Sequence, residues 1–574
     1  HHHGEWDHEV RPKAEQLLHL VLERNIDAST AVGMVIGKEP NKLPEDLEKA
    51  LKLAQRLYAD FQRTTDEIDN LLLGLDGKFV PPGPGNSPIR NPNAVPTGRN
   101  MYLLNPDEIP TRPSWELGVK LAKELIANHQ KETGAFPTKV AFDLRSSATF
   151  RDYGVMEAQI LYLIGVEPIW DERQMVLDVR LIDRETLGRP RVDVFIAAGG
   201  WYESNLAGRL NLWDKAVRLA AEANEPDNPL YLNTQAHEQL LLKQGLAGDR
   251  AAQLARGRIF SIAPGRETGS ALAPSLLRSG EWTSREELAA QYHRSHQYVY
   301  TEGAWGEEAA PLYHAAMQGT HTVVRSWSDH LTGPLASRYT WLHGGALSLA
   351  VESATGKRPK YLFADVRDPA QSKMVDAEDA LQKEYRVRLF NRKWLEGMMK
   401  EGYAGADHIR SLTTNSFAWE VMRPGSVGDA NWTEMKKILL DDKLNLGLPA
   451  WMEQNNPYAY QDAKAVMLEA IRKGYWNAEP ATIKQIAASY AESVARHGLS
   501  GNIMSGGNQP LDQFVRGAIA GAPELAEKYA QRIEEQTQLT AADAAPADLA
   551  AAPETPAADA SPSPDAAAPQ ATVT

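Results

Sequence analysis

The 574-residue chain carries 75 Asp and Glu against 61 Lys and Arg, a formal charge of −14, which argues against non-specific nucleic-acid binding because that rests on clustered lysine and arginine. It has no cysteine, which removes disulfides, thiolate zinc sites, iron–sulfur ligation and cysteine nucleophiles together and leaves chemistry to His, Asp, Glu, Ser, Tyr or Arg. With 43% hydrophobic residues it reads as a globular protein of roughly three or four domains; no apolar run spans a bilayer and no signal-peptide pattern opens the chain, so a cytoplasmic location with no membrane span is expected.

The opening His1–His3 carry no functional weight. From Val10 to Leu73 apolar residues recur at i, i+3, i+4 and i+7, predicting a helical N-terminal segment over 1–78, stopped by Gly74 and Gly77. A Pro/Gly-rich stretch at 79–109, FVPPGPGNSPIRNPNAVPTGRNMY from Phe79 to Tyr102, follows. Proline fixes φ and glycine permits positive φ, so this is a shaped loop, and Arg90, Arg99 and Asn100 make it a candidate binding loop; an interdomain linker is the plain alternative.

Over 110–228 helices alternate with short apolar runs, KVAFDL and VDVFIAA, which predicts a parallel-sheet domain of Rossmann or flavodoxin type. Ligands of such sheets sit beyond the carboxyl ends of the strands. Those ends deliver Arg145, Ser146, Thr149 and Arg151, then Trp201, Tyr202, Glu203 and Ser204. Residues 229–367 read as a mixed, mainly helical domain with loops RIFSIAPGRETGSAL, VVRSWSDHLTG and TWLHGGAL, and KYLFADV as a strand near its end; 368–537 reads as a helical domain and 538–574 as a disordered Ala/Pro-rich tail. The fold class is thus α/β and mostly helical, multidomain, with one parallel-sheet domain flanked by helical ones.

No GxxxxGK[ST] or HExxH motif occurs, so no nucleotide site is expected in this chain. His293 and His296 share a helix face without a carboxylate partner, a weak metal signal. Trp327, Asp329 and His330 combine an aromatic plane with an acid/base pair; His343 opens a helical run through two glycines; Glu157 stands on an apolar helix; Glu203 and Glu267 lie in glycine-bearing loops. Caps, turns and solvated charges are the competing readings for these positions.

Several blocks together, PPGPGNSPIRNPNAVPTGRNMY, KVAFDLRSSATFRDYGVMEAQILYLIGVEPIWD, TLGRPRVDVFI, AVRLAAEANEPDN and YTWLHGGALSLAVESATGKRP, resemble the large subunit of CobN-type cobaltochelatases and the H subunit of magnesium chelatase. The similarity runs from about Glu15 to His497, and the chain looks like the carboxyl-terminal half of such a subunit, with an amino-terminal half as its missing partner. The resemblance implies a tetrapyrrole-binding subunit that works with AAA+ ATPase partners on a divalent metal, cobalt first, with iron or magnesium as alternatives. It implies cobalt insertion into hydrogenobyrinic acid a,c-diamide in cobalamin biosynthesis; the open alternatives are a haem-binding or dechelating protein of haem uptake, a magnesium-protoporphyrin chelatase subunit, or a non-catalytic tetrapyrrole-binding module.

On this reading Glu157, His330 and His343 handle metal or protons, and Arg90, Arg99, Asn100, Arg145, Arg151, Trp201, Tyr202, Glu203 and Trp327 hold the macrocycle. The chain departs from the family pattern where Arg145 and Ala148 stand in place of a tryptophan and an acidic residue, and where Trp201–Ser204 and the Gly265–Gly269 loop differ; Arg145 suits a ring with exposed carboxylates.

Overall fold

The computed structural model describes residues 10–38, 42–86, 88, 91–199, 201–266 and 272–544, with side chains to 536. Helices Arg11–Leu18, Ala28–Ile36, Glu45–Phe61 and Asp66–Leu75 form the N-terminal segment, as the periodicity predicts. Glu45, Asp46 and Glu48, and again Asp66, Glu67 and Asp69, occupy first turns, where the helix dipole favours carboxylates. Among the described residues Val21, Ala31 and Leu51 form a small buried cluster there. The Pro/Gly loop folds on itself, strand β1 (Pro82–Pro84) pairing in parallel with β2 (Asn100–Tyr102).

The centre of the molecule is one eight-stranded sheet. In chain order its strands are β3 (Lys139–Arg145), β6 (Asp193–Gly199), β7 (Ile259–Ser261), β8 (Tyr298–Thr301), β9 (Ala304–Glu308), β10 (Thr322–Trp327), β11 (Lys360–Asp365) and β12 (Lys373–Asp376). Their spatial order is β12-β11-β10-β3-β6-β7-β8-β9. A separate hairpin pairs β4 (Val166–Trp170) with β5 (Val176–Leu181). The five central strands of the large sheet are parallel, and β12, β8 and β9 are antiparallel at the edges. Counted along the chain, the parallel strands lie in the order 3-2-1-4-5, the doubly wound arrangement, with its switch point between β3 and β10.

This corrects two expectations. The sheet does not end at residue 228: β7 to β12 lie in the stretches read as mixed and helical, so the 110–228, 229–367 and 368–537 divisions cut through one sheet. VVRSW, read as a loop, is the parallel neighbour of β3. At the other end, the helix Pro523–Ala544 carries order past residue 538, and 545–574 lie outside the described residues.

Successive strand residues face opposite sides. On β3, Val140, Phe142 and Leu144 pack with Leu121, Leu125, Ile160, Leu163, Leu210 and Trp213 from the helices Arg112–Thr133, Val155–Ile164 and Ala207–Glu222. Ala141 faces the other way, with Phe195, Val323, Trp327, Tyr361 and Phe363, into a second core built with the helices Arg285–His296, Ala346–Thr355 and Tyr403–Met422. The alternation therefore sends Asp143 and Arg145 of β3 and Arg325 of β10 to this second face.

Candidate functional site

Two buried polar clusters flank the switch point, one on each face. On the second face Asp143, inside β3, accepts from Arg145 Nε at 2.5 Å and from Arg325 Nη1 of β10. All three side chains are buried. Burial alone would push the Asp143 carboxyl up, but Arg145 and Arg325 together hold it below its ordinary value. The widened helical turn Thr340–Gly345 packs on this pair. A Cβ at Gly344 would strike the Tyr361 hydroxyl and lie 3.3 Å from Asp143 Oδ2, so glycine is what lets the turn approach.

His343, on that turn, is buried and stacks on Tyr339 with ring centroids 5.8 Å apart. Burial first, then Arg145 and Arg325, keeps it neutral, well below the ordinary histidine value. His296, at the end of the Arg285–His296 helix, stacks on Tyr292 at 3.9 Å and is pushed down to about 3 by burial and Arg145.

On the first face the Val155–Ile164 helix starts at Gly154, and Asp152 Oδ1 accepts from the Gly154 and Val155 amides at 3.2 Å. Its Oδ2 accepts from Ser326 Oγ of β10 at 2.6 Å. Glu157, 1% exposed, accepts at Oε1 from Thr149 Oγ1 at 2.5 Å and from the Tyr202 hydroxyl at 2.8 Å, which itself accepts from Trp213 Nε1 at 2.9 Å. Burial, then the nearby Asp152 carboxylate, raises Glu157 from an ordinary 4.5 to about 7.

Between the faces, Arg151 joins the element after β3 to the end of β10: its Nε donates to Ser328 Oγ at 3.0 Å and lies 3.0 Å from Asp329 Oδ2. Beside this end a cleft of about 890 Å³ is lined by Arg112, Lys120, Asp152, Tyr153, Val155 and Arg367 among others. That volume is in the range of small-molecule sites. The Pro/Gly loop reaches this cleft through Asn86, whose Nδ2 donates to Phe150 O at 3.0 Å and to the Tyr153 hydroxyl at 3.3 Å.

The predicted residues therefore scatter. Arg145 and His343 come together, Arg151 spans the crevice, and Tyr202 and Glu157 bond directly. Glu157, His330 and His343 do not converge: Glu157 belongs to the first face, His343 to the second, and His330 is exposed after β10. Among the described residues no three His, Asp or Glu side chains form a metal-holding group. Trp327 is 2% exposed and stacks under Arg367, so it is core in this arrangement, whereas Trp201 is 61% exposed at φ +70°. Glu203 Oε1 faces Ser261 Oγ at 3.4 Å, and its Oε2 is buried without a partner among the described residues.

Arg99 points into its own loop, donating to Pro96 O at 3.0 Å and Asn93 O at 2.6 Å. With Asn100 it lines a different groove, about 780 Å³, against the helix Asp66–Leu75. Arg90 and Glu267 lie outside the described residues. Asp143, Arg325 and Tyr292 were missed; a charged residue inside the apolar runs KVAFDLR and TVVRSW is the signal that marks the first two.

These features define an α/β protein with a doubly wound sheet and a cleft beside the segment that follows β3. The sequence matches the CobN/Magnesium Chelatase family over residues 1–483, and the chain belongs to that family. It is 30% identical over 413 residues to the aerobic cobaltochelatase subunit CobN of Sinorhizobium sp, covering 71% of this chain and 32% of that one. The magnesium-chelatase subunit ChlH of Oryza sativa subsp. japonica is 28% identical over 74% of this chain and 30% of its own length. The catalytic subunit of cobaltochelatase from Mycobacterium tuberculosis superposes with a TM-score of 0.75 at 26% identity, over 84% of this chain and 40% of that chain. The chain thus spans about a third of the length of the curated relatives it matches. Among the described residues no helix is long and apolar enough to cross a membrane.

Proposed function

We propose that the chain is the macrocycle-holding part of a metal chelatase that inserts cobalt into hydrogenobyrinic acid a,c-diamide, with ATP hydrolysed by AAA+ partner subunits. The observation that carries this reading is the 890 Å³ cleft beside the segment after β3, lined by Arg112, Lys120 and Arg367 together with Glu108, Glu116 and Asp152, and touched by the Pro/Gly loop at Tyr153. Family membership and the cobaltochelatase superposition support the reaction class. The metal ion is cargo here, and the three groups expected to hold it do not gather in this chain.

Insertion displaces the inner N–H protons of the ring, one from a corrin or two from a porphyrin. Glu157, raised to about 7, is poised to give and take a proton near neutrality, although its burial means that it acts through Thr149 and Tyr202, which touch it. In this scheme Arg151 and the basic cleft residues orient anionic ring substituents. Haem uptake is the second reading: Arg145 suits ionised ring carboxylates, which haem propionates supply as do the carboxylates left on the corrin diamide, so binding has to separate the two.

Absorbance titration of the purified chain with hydrogenobyrinic acid a,c-diamide, protoporphyrin IX and haem tests the proposal. Tightest binding of the corrin precursor is expected. Tightest binding of haem transfers the assignment to the second reading, and no spectral change with any of the three refutes both.

A further inference from the structure

We propose that Arg145 and Tyr292 form a buried seat for a carboxylate on the second face of the sheet. The Arg145 Nε is committed to Asp143, while Nη1 and Nη2 are buried and have no partner among the described residues. The same holds for the Tyr292 hydroxyl and for Nε2 of His296, the ring stacked on Tyr292. Buried polar groups are nearly always satisfied, because stranding one carries the full cost of its lost hydration, more when it is charged. Four orphaned polar atoms on three residues therefore mark one place where a polar group is taken up.

The chemistry of that group follows from the donors. Nη1 and Nη2 form the end-on fork of a guanidinium, which matches the two oxygens of a carboxylate. The Tyr292 hydroxyl adds a third donor. The charge count agrees: Arg145 and Arg325 share the single carboxylate of Asp143, leaving one positive charge unmatched in the cluster. Tyr292 and His296 stack on each other at 3.9 Å, both are buried, and both feel the charge of Arg145. A neutral water does not answer that charge, whereas a monoanion does.

Two sources carry this chemistry: a free small carboxylate, or a carboxylate arm of the macrocycle. Only the second rests on the tetrapyrrole reading. The first experiment compares thermal unfolding of the full chain in sodium acetate and in sodium chloride at equal pH and ionic strength. Acetate is expected to raise the midpoint of the parent above its value in chloride, and Arg145→Gln and Tyr292→Phe are expected to lose the difference. Tyr292→Phe keeps the ring, so it serves even where Arg145→Gln folds poorly. The second experiment compares mesoporphyrin IX with its dimethyl ester: an acid preference of about tenfold in the parent, abolished in Arg145→Gln, makes the macrocycle the source.

An acetate effect that depends on Arg145 and Tyr292, with no porphyrin bound or no acid preference, keeps the seat for a free carboxylate. In that result the failure of mesoporphyrin to bind counts against the porphyrin readings alone, and the corrin reading is decided by the titration above. If acetate stabilises no more than chloride, or if the difference survives in both variants, the seat does not exist.

Discussion

Replacing Glu157 with Gln isolates the proton that the first-face cluster holds. In the unfolded chain this carboxyl titrates near its ordinary 4.5, and in the folded chain burial and Asp152 raise it to about 7. Between those values the folded state retains a proton that the unfolded state has released, so stability is lost as pH rises through the window and levels off above it. At about 1.4 kcal/mol per tenfold change, the full excursion is about 3 kcal/mol. Gln keeps an acceptor oxygen for Thr149 and Tyr202 and cannot ionise, so the variant escapes this loss. Histidines 237, 293, 296 and 321, pushed down to between about 3 and 4 chiefly by burial, act in the opposite sense, stability falling as pH drops below the ordinary 6.5. They are common to both proteins and cancel in the difference. Urea unfolding at half-unit steps from pH 4.5 to 8 reads it out: the variant-minus-parent stability should climb by about 3 kcal/mol and then stay level. A difference that stays constant over this range refutes the assignment of a held proton to Glu157.

Gly344→Ala should lower the thermal midpoint by the equivalent of about 1–3 kcal/mol, because the added Cβ strikes the Tyr361 hydroxyl; Tyr361→Phe in the same background should recover part of it, and no recovery means the clash lies elsewhere. Asp143→Asn leaves Arg145 and Arg325 buried without a counter-charge and should cost about 3–5 kcal/mol in urea unfolding; a loss below about 1 kcal/mol contradicts the pairing. Thr149→Val removes a bond that favours the ionised form of Glu157, so the pH window of the Glu157 effect should extend above 7, and an unmoved window in the Thr149→Val and Thr149→Val/Glu157→Gln pair speaks against that bond.

What the sequence makes legible is the part of the fold written in unbroken apolar runs. KVAFDL, VDVFIAA and KYLFADV become β3, β6 and β11 because a parallel strand buried on both faces needs such a run. VVRSW escapes the rule because Arg325 interrupts it and a loop-like SDHLTG follows, and β7 is only three residues long. The charge that hides β10 is the one that pairs with Asp143, 182 positions earlier, and periodicity cannot reveal a partner at that distance. Arg99 fails for a local reason. Prolines donate no backbone hydrogen bond, so a proline-rich loop leaves carbonyls to be satisfied, and Arg99 serves two of them. Asn86, at φ +105°, makes the contact with the cleft that Arg99 was expected to make.

The two clusters lie on opposite faces of the sheet, yet one hydroxyl connects them. Thr149 Oγ1 lies 3.1 Å from the backbone oxygen of Arg145 and 2.5 Å from Glu157 Oε1, and it has a single proton to give. When Glu157 is ionised, its carboxylate competes with the Arg145 carbonyl for that proton. When Glu157 is neutral with its proton on Oε1, it donates to Thr149, and Thr149 is free to donate to Arg145 O. The same short helix, Ser146–Asp152, is tied to β10 by Asp152 to Ser326 and by Arg151 to Ser328. A proton arriving at Glu157 is therefore felt at the carboxyl end of β3, where Arg145 holds Asp143. Through Thr149, a change of protonation at Glu157 on one face has a hydrogen-bonded route to Arg145 on the other.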